Sequence, residues 1–183
     1  MNIEMKGINR LFPCLLVYTV DTVIWLKLTQ VYGNTWVIEA YELIPFYKLD
    51  ENHCILLDSG LSEECEELDR TLAEAHLVPV GILCSHAHED HCGNNRYFQE
   101  KYGAQVALTS EEAGSCGSLL SLKGYFSPLP ISMVKQNYSC MIHSPNLIIP
   151  SIDCSFSFCG ITFDVLHTCC VTIQFRISSV FIH

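Results

Sequence analysis

The chain has 183 residues, 49% hydrophobic and only 16% charged, enough apolar material for one sizeable core and too much for an intrinsically disordered chain. Twenty acidic residues outnumber ten basic ones, for a formal net charge of -10, and no Lys/Arg cluster interrupts that excess. A nucleic-acid backbone would be repelled, so no nucleic-acid partner is expected.

At the start of the chain, Lys6 and Arg10 precede an apolar run from Leu11 to Val20, a pattern that mimics a signal peptide. Asp21 interrupts it, Ile24-Trp25-Leu26 resumes it, and no small-x-small cleavage site follows. The run is far short of the roughly 20 residues that a spanning helix needs. Residues 1–26 are therefore read as an atypical N-terminal extension, with no membrane partner and a cytoplasmic location expected; export or membrane association is the alternative. Eleven cysteines form no CxxC pair, their number is odd, and Cys54, Cys84 and Cys159 sit inside apolar runs. They read as free thiols in a reducing compartment.

From Lys27 the pattern becomes regular. Lys27 to Ile38 reads as two strands around a Gly33-Asn34 turn, and His53-Cys54-Ile55-Leu56-Leu57 as a short apolar strand. Ser62 is placed to cap a helix on which Leu61, Cys65, Leu68, Leu72 and Ala75 form one apolar stripe. A fully apolar strand follows over Val80–Cys84. Strand, helix and strand in this order predict a crossover unit, whose second strand delivers its end to a ligand-binding edge. Asn94 to Tyr102 reads as a helix closed by Gly103, and Gln105–Leu108 as another strand. Gly117, Gly124, Pro128, Pro130 and Pro145 break up the span from Gly114 to Pro150, which predicts a loop-rich insertion with short helical pieces. Strands resume at Leu147–Ile149, Phe156–Phe158 and Ile161–Leu166. The alternation predicts a layered α/β domain.

Directly after the strand at Val80–Cys84 stands Ser85-His86-Ala87-His88-Glu89-Asp90-His91, which holds three of the chain's eight histidines. Neutral imidazole suits a borderline-soft divalent ion, and carboxylate supports a harder position. His86 and His88, two apart in an extended turn, can reach one metal. Asp90 and His91 suit a neighbouring ion or a second face of the same one. Two ions about 3.5–4 Å apart can share a hydroxide and stabilise a developing oxyanion. Such a pair needs about six ligand contacts, of which the local sequence supplies four.

The segment Ser85-His86-Ala87-His88-Glu89-Asp90-His91-Cys92-Gly93 resembles the His-x-His-x-Asp-His signature of the metallo-β-lactamase superfamily. The resemblance spans about residues 27–168. Ile55-Leu56-Leu57-Asp58-Ser59-Gly60 resembles the strand whose aspartate lies near the metal, and Ile161 to Thr168 the strand leading into a His-Thr-Pro-Gly-His motif. It implies an αββα sandwich with a one- or two-zinc site that activates hydroxide against a small-molecule ester, thioester, lactam or phosphoester. By the resemblance, His86 and His88 bind the first metal and Asp90 and His91 the second. Asp90 also serves as the catalytic carboxylate that handles protons, and Asp58 supports the ligands from behind. The whole-chain features look most like the broad bacterial group of generic hydrolases in this superfamily.

After His167-Thr168 the chain departs from the pattern, with Cys169-Cys170-Val171 where Pro-Gly-His is expected. Cys170 is the candidate substitute ligand. Residues 169–183 read as a divergent β-rich tail, so the second half of the sandwich is expected to be incomplete, through a reading-frame disruption or truncation or in a short paralogue. From this follow three expectations: one zinc at most, impaired activity or a non-catalytic remnant, and self-association through exposed sheet surface.

Overall fold

A computed structural model describes residues 26–167 and 173–177. The N-terminal extension up to residue 25, and Cys170 with the tail residues around it, lie outside the described residues. Strands β1 (Lys27–Tyr32) and β2 (Thr35–Glu39) form the expected hairpin, followed by β3 (Leu43–Lys48) and β4 (His53–Leu57). Helix α1 (Cys65–Glu74) crosses to β5 (Val78–Leu83). Helices α2 (Glu89–Cys92) and α3 (Asn95–Tyr102) then lead to β6 (Gln105–Thr109). Helices α4 (Ser110–Cys116), α5 (Leu119–Tyr125) and α6 (Ile131–Tyr138) lead to β7 (Leu147–Ile149), and the described chain closes with β8 (Cys154–Phe158), β9 (Ile161–His167) and β10 (Ile173–Ile177).

Strands β1 to β7 form one sheet in chain order, antiparallel from β1 to β4 and parallel from β4 to β7. Strands β8, β9 and β10 form a second, antiparallel sheet. The period-2 alternation of side chains explains the layering. Cys54 and Leu56 of β4, Ile82 of β5, and Val106 and Leu108 of β6 join a buried cluster to which α1 to α6 all contribute, through Leu68, Leu72, Cys92, Phe98, Cys116, Leu122 and Val134. The alternate residues Ile55, Leu83 and Ala107 face the other way and pack with Phe158, Phe163 and Val165 of the second sheet. The large sheet is thus the middle layer between helices and a second sheet, the αββ part of the expected sandwich.

Two expectations need correction. Ser62 does not cap α1. It opens a 3-10 turn over Ser62–Glu64, its hydroxyl donates to Glu63 Oε2 at 3.2 Å, and α1 begins at Cys65 with no side-chain cap. The span expected to be loop-rich is largely helical. Its breakers punctuate helices without abolishing them: Pro130 stands at the N-cap of α6 and Gly117 at the C-cap of α4. Cys116, Leu122, Val134 and Met141 anchor the segment in the core, and that burial outweighs the weak local propensity.

Candidate metal centre

The histidine loop leaves the carboxyl end of β5, as the strand-helix-strand pattern predicts, and lies against the end of β4. Asp58 N donates to Leu83 O at 3.0 Å and Cys84 N to Ala107 O at 3.0 Å, so the parallel ladder runs into the site. Asp58 then takes the left-handed conformation, φ 68°, which turns its carboxylate across the β5 loop. The two loops are bound together below the site. Ser59 N donates to His91 O at 2.7 Å, and Asn94 Nδ2 donates to the carbonyls of Ser59 and Leu61, both at 2.8 Å. Gly93 lies where a Cβ would stand 2.6 Å from Glu89 O and 2.7 Å from both Gly60 O and Ser62 N, so only glycine lets the two loops approach this closely.

The carboxylate of Asp58 organises the imidazoles. Oδ1 accepts from Ser85 N at 2.6 Å, while Oδ2 accepts from Ser85 Oγ at 2.8 Å and from His91 Nδ1 at 2.8 Å. With its proton given to Asp58, Ser85 Oγ accepts from His86 Nδ1 at 3.0 Å, which leaves the lone pair of His86 on Nε2. That nitrogen lies 2.8 Å from His88 Nδ1, so His88 donates from Nδ1 and accepts at Nε2 from the Tyr125 hydroxyl. The ring of His91 stacks obliquely on His86, with centroids 4.0 Å apart, and its Nε2 stands 3.6 Å from Asp90 Oδ2.

Burial, reinforced by the neighbouring His91 and His88 rings, holds His86 below the ordinary histidine range and so in its neutral, ligating form. His91 is shifted the other way: the hydrogen bond to Asp58 raises it, against the opposing effect of burial.

All four residues expected to bind metal, and Asp58 with them, are brought together. They stand as two facing pairs, His86 Nε2 with His88 Nδ1 and His91 Nε2 with Asp90 Oδ2. Among the described residues no three His, Cys, Asp or Glu donors converge on one ion position. The donor set nevertheless fits zinc in kind: a neutral imidazole whose tautomer is fixed by an outer partner is the usual zinc ligand. Two nitrogens sharing a tetrahedral zinc stand about 3.3 Å apart at zinc–nitrogen bonds of about 2.0–2.1 Å, a wider spacing than the 2.8 Å between His86 Nε2 and His88 Nδ1.

Two residues at the site were not expected from the sequence. Glu112 Oε2 accepts from Ala87 N at 2.7 Å, between the two histidines, and the Tyr125 hydroxyl reaches His88. Glu112 carries a visible signal, since Thr109-Ser110-Glu111-Glu112 has the spacing of a capping box. Thr109 Oγ1 does accept from Glu112 N at 3.4 Å, but the Glu112 carboxylate bonds the histidine loop in place of the cap. Tyr125 has no such signal in the sequence.

The chain is thus a layered α/β domain with histidines and acids gathered at the carboxyl ends of its parallel strands. A family model described as the metallo-beta-lactamase superfamily matches residues 28–128. The chain belongs to that superfamily. It is 35% identical over 69 residues to a hydroxyacylglutathione hydrolase of Cronobacter sakazakii (strain ATCC BAA-894), a match covering 38% of this chain and 26% of that protein. Its fold resembles a subclass B3 metallo-beta-lactamase of Bradyrhizobium japonicum, with a TM-score of 0.62 at 15% identity over 86% of this chain and 60% of that one. It also resembles a metallo-beta-lactamase of Elizabethkingia meningoseptica, with a TM-score of 0.66 at 15% identity over 98% of this chain and 63% of that one. The chain thus spans less than two thirds of each of these relatives, and at 15% identity the two structural likenesses are of fold alone. Among the described residues, no helix is long and apolar enough to cross a membrane.

Proposed function

We propose that the chain is a zinc-dependent hydrolase of a small-molecule ester or thioester. The observation that carries this reading is the facing pair His86 Nε2 and His88 Nδ1 at the end of β5, beside the pair His91 Nε2 and Asp90 Oδ2. His86 and His88 would hold one zinc, and His91 and Asp90 would hold or complete a second position. Zinc supplies a hydroxide at neutral pH and an electrophile for the carbonyl oxygen. The chain's own residues keep that chemistry in register: Asp58 and Ser85 set the tautomer of His86, and Asp58 orients His91 so that Nε2 points into the site. Asp90, about a third exposed, reaches solvent beside His91 Nε2. The thioester is favoured by the hydroxyacylglutathione hydrolase to which 69 residues are 35% identical.

The arrangement in two pairs also supports a second reading, a non-catalytic protein that binds one zinc. Metal analysis of zinc-dialysed protein, with turnover of a generic thioester, a generic ester and a phosphodiester, separates the two. The hydrolase requires bound zinc and turnover of at least one substrate, with both lost in His86→Ala. One bound ion without turnover supports the second reading, and no bound ion overturns both.

A further inference from the structure

We propose that Glu112 is a positioning residue for the metal centre, whose carboxylate fixes the peptide between His86 and His88 and so holds the two imidazoles as a pair. This inference rests on the zinc reading above and deepens it. Strand β5 lies between β4 and β6 in the sheet, and the histidine loop continues from its end. The register pairs Leu83, the last residue of β5, with Ala107, and β6 runs two residues further to Thr109 before α4 begins. The first turn of α4 therefore stands on the β6 side of the loop, while Asp58 reaches it from the β4 side.

Nothing in α4 itself requires Glu112 to point at that loop. Thr109 is the N-cap and Glu112 the third helical residue, a position from which a carboxylate ordinarily bonds back to the cap's own N–H. Oε2 instead accepts from Ala87 N at 2.7 Å, across 25 positions of sequence. That is the length of a charge-assisted hydrogen bond, roughly twice as strong as a neutral one. Ala87 is 1% exposed, and an N–H buried there without an acceptor would be costly.

Backbone geometry shows what this bond holds. His86 and His88 flank Ala87, and in extended backbone residues two apart project to the same face. His88 is extended, with φ -100° and ψ 156°, and its Nδ1 faces His86 Nε2 at 2.8 Å. Rotating the peptide that carries Ala87 N would turn one ring away from the other, and Glu112 opposes that rotation. Two carboxylates thus divide the loop between them. Asp58 grips its ends at Ser85 and His91, and Glu112 grips its middle at Ala87.

The test compares wild type with Glu112→Ala, Glu112→Gln and Glu111→Gln. Glu111 is the neighbouring carboxylate on α4 and bonds Ser110 and Ser151, outside the histidine loop, so its neutralisation measures the effect of charge alone. Zinc affinity is read by chelator competition, and the Ala87 amide by its proton shift and exchange rate in zinc-free protein. Wild type should show a downfield, slowly exchanging Ala87 amide. Glu112→Ala should lose both features and bind zinc about 10- to 100-fold more weakly, the usual cost of losing a group that supports a ligand. Glu112→Gln keeps an oxygen in place without the charge and should recover part of that affinity. Glu111→Gln should stay within about twofold of wild type. A folded Glu112→Ala that binds zinc within about twofold of Glu111→Gln overturns the role of Glu112 and leaves the zinc reading standing. Should Glu112→Ala not fold, a wild-type Ala87 amide that exchanges as fast as an exposed loop amide overturns the role independently. A wild type that binds no zinc overturns both readings.

Discussion

Asp58 Oδ2 lies 2.8 Å from His91 Nδ1 and accepts its hydrogen bond, joining the end of β4 to the far end of the histidine loop. The same oxygen accepts from Ser85 Oγ at 2.8 Å, so one carboxylate orients both ends of that loop. In Asp58→Asn, an amide presents only one oxygen and loses the charge that draws the His91 proton. The variant should fold and should bind zinc about 10- to 100-fold more weakly. Chelator competition measures this, and affinity unchanged from wild type would show that His91 does not depend on Asp58.

Gly93→Ala should be among the most damaging small substitutions in the chain. Its Cβ would meet three backbone atoms at 2.6–2.7 Å, and none of these can swing aside as a side chain could. A loss of about 2–3 kcal/mol in urea unfolding is expected, with zinc binding weakened in parallel because the two site loops part. A stability within about 0.5 kcal/mol of wild type would contradict the close approach of the loops.

Asp69 links α1 to α3, accepting from Lys101 Nζ at 2.5 Å and from Tyr102 Oη at 2.7 Å. Burial raises its pKa, but the hydrogen bonds from Lys101 and Tyr102 outweigh that, and the net shift is downward. A carboxylate depressed in the folded state adds stability above its unfolded pKa of about 3.9, and that contribution is lost as pH falls through the folded value. Lys101 is well exposed, so the expected effect of Asp69→Asn at pH 7 is small, about 1 kcal/mol. Urea melts should show the gap between variant and wild type closing as pH drops below about 4.

The described cysteines should label in order of burial. Burial pushes the Cys54 thiol up to about 12, and burial with the nearby Asp69 pushes Cys65 up to about 11. Cys84, Cys92 and Cys116 are buried in the same helix-side core as Cys54. Iodoacetamide at pH 8 followed by mass spectrometry should leave these four unmodified in native protein and modify them in denaturant. Rapid native alkylation of Cys54 would contradict its core position.

Much of the fold was legible in the chain because its signals are local and periodic. The continuous apolar runs of β4, β5 and β6 mark strands buried on both faces, and Leu68 and Leu72 mark the inner face of α1. The histidine cluster was legible for the same reason, since His86, His88, Asp90 and His91 lie within six consecutive positions. The helices α4 to α6 were legible only as short helical pieces in a loop-rich span, because their glycines and prolines resemble loop signals until the buried side chains that hold them are known.

The sequence by itself determined the layered α/β class, the placement of the histidines at a strand end and the chemical kind of the candidate ligands. Only the tertiary structure decided that Glu112 and Tyr125 stand at those residues, and how Asp58, already expected behind them by resemblance, shares its oxygens between Ser85 and His91. Asp58 precedes His91 by 33 positions, Glu112 follows Ala87 by 25, and Tyr125 follows His88 by 37. Hydrogen bonds across such separations depend on where whole elements dock, and docking is set by buried apolar area that has no directional preference of its own. No local pattern therefore marks Tyr125 as the partner of His88, and only the packing of α5 over the histidine loop brings the two together.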